Sequence, residues 1–123
     1  MNKHWEQLIF CIVLHILFPL IPILVEFFRQ EYITEATLVI TTSIYCFSLG
    51  ASSKNLATFA IYLLIGVIFM SMPVTYNKQP EITNYQITSI LTLIIVSLWH
   101  LLERYNRHIK YKEIYWLLSS GDK

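Results

Sequence analysis

Apolar and polar positions alternate along this chain in long blocks. Nineteen residues free of Asp, Glu, Lys and Arg separate Glu6 from Glu26, and 18 separate Glu35 from Lys54. A further 23 separate Lys54 from Lys78, and 21 separate Glu81 from Glu103. At about 1.5 Å of rise per residue, a helix of about 20 residues crosses the roughly 30 Å hydrocarbon core of a bilayer. The pattern therefore predicts an all-α, polytopic membrane protein with four transmembrane helices, short loops and an amphipathic C-terminal helix. The spans fall at about 6–28, 33–52, 56–74 and 83–102, giving a transmembrane domain over 1–103 and a basic cytoplasmic tail over 104–123.

Within these blocks the polar residues recur at helical spacing. In the first, Cys11, His15, Pro19, Pro22 and Glu26 share one arc at 100° per residue. Pro19 and Pro22 remove the bonds to the carbonyls of His15 and Phe18, so a kink is expected there. His15 lies near mid-depth, where an ionisable residue reads either as a neutral, hydrogen-bonded imidazole or as a proton relay or ligand. The second block carries Thr34, Thr37, Thr41, Tyr45, Ser48 and Ser52 on one face. Small hydroxyls allow close helix approach and bonds across an interface; the alternative is the lining of a polar path. The fourth block places Tyr85, Thr88, Ser89, Thr92, Trp99 and His100 together.

Past the fourth block the periodicity continues. Leu98, Leu101, Leu102, Tyr105, Ile109 and Trp116 share a face, while Glu103, Arg104, Arg107 and Lys110 are expected to point away, with Glu103 and Arg107 an i, i+4 pair. This basic amphipathic helix is expected to meet acidic lipid or a cytoplasmic protein partner through Arg104, Arg107, Lys110, Lys112 and Trp116.

Only 14% of the residues are charged, against about 25% for a soluble domain. Seven of the nine basic residues (Lys3, Lys54, Arg104, Arg107, Lys110, Lys112, Lys123) fall at the termini or in the Lys54 turn; Arg29 and Lys78 fall in the other two loops. The positive-inside rule then puts both termini in the cytoplasm of a multi-pass inner-membrane protein. Cys11 and Cys46 lie inside apolar blocks, outside any disulfide framework. The first block is too long for a signal peptide, contains two prolines, and is followed by Glu26-Phe-Phe-Arg29 in place of a small-residue cleavage site.

The residues of a membrane enzyme are missing. There is no His-Glu-x-x-His, Cys-x-x-Cys, Gly-rich phosphate loop or Gly-x-Ser-x-Gly, and no mid-depth pair of carboxylates. Only His4, Glu6, His100 and Glu103, at one level, offer metal ligands, so no cofactor is expected. The expected partners are the bilayer, further copies of the chain and a cytoplasmic protein, with no direct nucleic-acid binding. Size and span number resemble the small multidrug transporters, whose pattern requires a glutamate inside the first helix; this chain has Cys11 and His15 at that depth. In span layout the chain also resembles the membrane subunit of the Kiwa phage-defence system, which implies a membrane component working with a cytoplasmic partner. The Ile-, Lys-, Asn- and Tyr-rich vocabulary suits a bacterial or mobile-element gene. The functional expectation is a non-enzymatic oligomeric scaffold or sensor, with a small transporter, channel or holin-like permeabiliser as the alternative.

Overall fold

A computed structural model describes residues 3–78 and 80–111. Among them every regular element is helical. Helix α1 (Lys3–Ile12) runs through a π-helical turn (Val13–Leu17) and a short 3-10 turn (Phe18–Leu20) into α2 (Ile21–Gln30). After a four-residue link come α3 (Glu35–Ser52), α4 (Leu56–Met70) and α5 (Asn84–Tyr105), which ends in a second π turn (Asn106–Lys110).

The change of winding in the first helix follows from its prolines. Pro19 has no N–H to donate, and the helix loosens before it: the Phe18 N–H reaches back five residues to the Val13 carbonyl. It then tightens over Pro19, where the Ile21 N–H bonds the Phe18 carbonyl. The predicted break thus takes the form of a wide turn followed by a narrow one inside a continuous 28-residue helix. That helix stops at Glu31, whose left-handed backbone (φ 58°) lets its N–H cap the Phe27 carbonyl.

Two helices among the described residues, Lys3–Gln30 and Asn84–Lys110, are long and apolar enough to cross a membrane. Only 22% of the apolar window of each is buried, whereas the core helix of a soluble protein would be mostly buried. Phe18, Leu24, Phe28, Ile95, Leu98 and Trp99 all stand on the outside. An apolar exterior of this kind suits lipid and marks the chain as membrane-associated.

The four-span expectation is overturned. Helix α4 has 15 residues, about 22 Å of rise, because Asn55 caps its start and Pro73 follows its end. Helix α3 has 18 residues, but six of them are Ser or Thr and most of the helix is buried among its neighbours. It is the core helix of the bundle. The likeness to the Kiwa membrane subunit rested on a four-span layout and falls with it.

Around α3 the core joins Ile16, Tyr45, Cys46, Leu49, Tyr62, Leu93 and Val96. The closest approach is to α4, where Ser43 Oγ donates to the Gly66 carbonyl at 2.7 Å and the Phe47 ring lies over Gly66. Polar clasps close both ends. At one end the Glu26 carboxylate accepts from the Thr34 N–H (3.0 Å) and hydroxyl (2.9 Å), the Glu35 carboxylate accepts the Thr75 N–H, and Gln86 donates to the Ile33 carbonyl. At the other end Ser53 meets Glu103, Arg104 meets Ser52, and Cys11 meets His108. The beginning of α1, the Ser52–Asn55 turn and the end of α5 therefore share one end of the bundle.

Candidate functional site at the basic end

The shared end holds a set of buried polar side chains that two helical stripes bring together. Gln7, Cys11 and His15 recur every four residues on the first helix, and His100, Arg104 and His108 do the same on the last. All six are buried; His100, Arg104 and His108 expose 1–2% of their surface. The π turn after Tyr105 is closed by the Tyr111 N–H on the Asn106 carbonyl at 2.9 Å, and it carries His108 onto α1.

The bonds fix the protonation pattern. His15 Nδ1 lies 3.2 Å from the Cys11 carbonyl, which can only accept, so Nδ1 bears a proton. Arg104 Nε donates to His100 Nε2 at 3.3 Å, so that ring is neutral with its proton on Nδ1. The same guanidinium donates through its second arm to the Ser52 carbonyl, tying α5 to the end of α3. The two imidazoles face each other at 5.9 Å between ring centres, tilted by 42°. Cys11 Sγ and His108 Nε2 stand 3.6 Å apart.

Several buried polar atoms here have no protein partner among the described residues: His4 Nδ1, Gln7 Oε1, His100 Nδ1, Glu103 Oε2 and the Tyr62 hydroxyl. In native proteins such groups take ordered water. No group of three or more His, Cys, Asp or Glu among the described residues is arranged to hold a metal.

The remaining candidates divide cleanly. Thr34 and Thr37 belong to the N-terminal cap of α3, with the Thr37 N–H on Thr34 Oγ1 at 3.3 Å. Thr41 is buried, Ser48 is half-buried, and Tyr45 shares a 2.6 Å hydrogen bond with Ser97. The α3 stripe is therefore turned into the bundle. Arg107 is half-buried beside Glu103 (4.0 Å), and Lys110 is exposed against the Tyr111 ring. Arg104 does not point away from the apolar face: it is one of the most buried side chains of α5, because α1 packs on the His100–Arg104–His108 side. Lys112 and Trp116 lie outside the described residues. The i, i+4, i+8 series of His100, Arg104 and His108 was the sequence signal for this site.

Comparison with family models, with curated proteins and with solved structures finds no match to this chain. The Kiwa-like reading thus gains no support from sequence relatives either.

Proposed function

We propose that the protein is a non-enzymatic membrane-embedded scaffold or sensor that presents its basic end to an acidic surface of a cytoplasmic protein. The observation that carries this reading is charge placement. Lys3, Lys54, Arg107 and Lys110 come from three separate segments, and the bonds described above gather those segments at one end of the bundle. Arg29 and Lys78 belong to the opposite end. The positive-inside rule assigns the richer end to the cytoplasm. A reporter domain fused to the C-terminus should therefore be active in the cytoplasm, and one inserted between Tyr76 and Glu81 should be active outside it. The reverse pattern would overturn the assignment.

Self-association belongs to the same reading and uses the outward apolar faces of the two long helices, since the hydroxyls of α3 are engaged inside. The same engagement counts against a conducting path along α3. The cleft between α4 and α5, lined by Ile61, Ile65, Ile95, Val96 and Trp99 among others, is likewise almost wholly apolar.

Docking through the basic end has a direct test. Changing Lys54, Arg107 and Lys110 together to Gln should leave insertion and folding largely intact, because Lys54 and Lys110 are exposed and the Arg107–Glu103 contact is a long, 4.0 Å pair. It should weaken co-purification of the cytoplasmic partner at least tenfold, and the wild-type complex should weaken as salt is raised. Undiminished capture by the triple variant, with no salt dependence in the wild type, would refute docking by charge.

A further inference from the structure

We infer that the cleft between α4 and α5 binds one anionic phospholipid, with an acyl chain seated between the helices and the headgroup held at the basic end. Both helices pack on α3 and barely on each other, which leaves a gap of about 130 Å³ between them. Ile61 and Ile65 of α4 line one wall, and Ile95, Val96 and Trp99 of α5 line the other. Thr58 and Tyr62 complete the lining with almost no polar surface. Ile61, Ile95 and Trp99 are each more than half exposed, so the gap opens sideways onto the bilayer. A polar ligand finds no partner inside it, whereas a hydrocarbon chain gains dispersion contacts from both walls.

The cleft starts at the basic end. Thr58 lies three residues after Asn55, the cap of α4, and Trp99 lies one turn before Glu103, which accepts from the Ser53 hydroxyl at 3.3 Å. From Thr58 to Ile65 the cleft follows about 10 Å of helical rise away from that end. At Trp99 it adjoins a more polar recess of about 280 Å³, lined also by Leu102, Glu103 and Asn106. The two together are polar at the outer end and apolar within, in the order of a headgroup and its chain. Lys54 is exposed in the Ser52–Asn55 turn, and Arg107 stands one turn beyond Glu103. Helix α4 also begins here with no acid in its first turn, so the positive end of its dipole faces the same region. Glu103 is the one acid lining the recess, and it is engaged by Ser53 and lies 4.0 Å from Arg107. These charges complement an anionic headgroup, and the cytoplasmic leaflet is the one that supplies such lipids.

Width selects the chain over a helix. A helix with its side chains is about 10–12 Å across, far too broad to enter a gap of about 130 Å³. A phosphate compound dissolved in water fits the recess and leaves the cleft unused. The site uses the charge placement described above but needs no protein partner. Lys54 and Arg107 serve both readings, whereas Ile61 and Ile95 serve the lipid alone.

The test uses the full chain in phosphatidylcholine nanodiscs, with Trp5→Phe and Trp116→Phe so that Trp99 is the one indole left. A small fraction of the lipid carries bromine on its acyl chains, as phosphatidylglycerol or as phosphatidylcholine, and bromine quenches an indole that it touches. Brominated phosphatidylglycerol should quench Trp99 as strongly as about five times as much brominated phosphatidylcholine, or more, since one basic residue near an anionic headgroup is worth about fivefold. Raised salt should shrink this preference. Ile61→Phe and Ile95→Phe each fill the cleft from an exposed position and leave every basic residue in place; either should cut the preference below about twofold. Lys54→Gln/Arg107→Gln should do the same with the cleft open. Equal quenching by the two lipids, or a preference that survives in both filling variants, would overturn the site. Displacement by soluble glycerol phosphate would overturn it too, leaving a headgroup site without a chain. So would a disulfide joining two Ile61→Cys chains that added phosphatidylglycerol does not prevent, because the cleft would then belong to a second copy. No cytoplasmic protein is present, so failure here leaves the docking test standing.

Discussion

Replacing Arg104 with Ala should destabilise the fold by about 2–4 kcal/mol, the largest loss expected from any single charged residue in the described chain. Arg104 is buried, and its guanidinium donates to acceptors on two different helices. One is His100 Nε2 and the other the Ser52 carbonyl, so truncation strands one buried and one part-buried acceptor, at about 1–3 kcal/mol for a fully buried group, part of which relaxation or water recovers. Arg104→Lys should fall between the two, since a single ammonium at the end of a flexible stem cannot reproduce a planar fork reaching two helices. Arg107→Gln is the control. Arg107 is half-buried with its carboxylate 4.0 Å away, and its loss should cost under about 1 kcal/mol. Denaturant unfolding of the detergent-solubilised protein, followed by helical circular dichroism, measures all three. An Arg104→Ala variant as stable as Arg107→Gln would show that the two bonds do not hold α3 to α5.

Gly66→Leu should prevent α3 and α4 from packing as they do and destabilise the bundle by about 3 kcal/mol or more. Even a Cβ at position 66 would stand 2.8 Å from the Phe47 ring edge, closer than carbon atoms pack. The ring is a side chain and can turn, so Gly66→Ala should cost only about 1 kcal/mol. A leucine needs space that exists only if the two helices separate, and separation also breaks the 2.7 Å bond from Ser43 to the Gly66 carbonyl. Small residues at helix contacts work by letting backbones approach in this way. The contact can be checked by a double-mutant cycle: Phe47→Ala should recover most of the loss in Gly66→Ala. A Gly66→Leu protein with wild-type stability would show that α4 does not rest on α3 at this point.

How the site was read from sequence depends on which face each stripe meets. Cys11 and His15 form a stripe on any helix, so their burial followed from spacing once that stripe met another helix. Arg104 did not follow. On a helix extending beyond a membrane, a basic residue reads as solvated, and only the packing of α1 against His100, Arg104 and His108 encloses it. Glu26 likewise closed on Thr34 of the next helix's cap, because the link after Gln30 is four residues long and brings the start of α3 within reach.

The residue order by itself determined that the chain is helical, roughly where its helices lie, and that the first is interrupted near Pro19. It also determined which end of each helix carries the basic residues. These are local properties: they depend on prolines, caps such as Thr83 with Gln86, and apolar runs whose effects reach only four or five residues. Tertiary structure alone decided which apolar helices stay outside and which becomes the core. Helices α3 and α5 look alike as apolar runs, yet α3 is enclosed while α5 keeps most of its surface exposed. The physical reason is that a hydroxyl-rich helix gains hydrogen bonds only when other helices surround it, as Ser43 does from Gly66 and Tyr45 from Ser97. Such partners lie 23 and 52 residues away, beyond the reach of any local pattern.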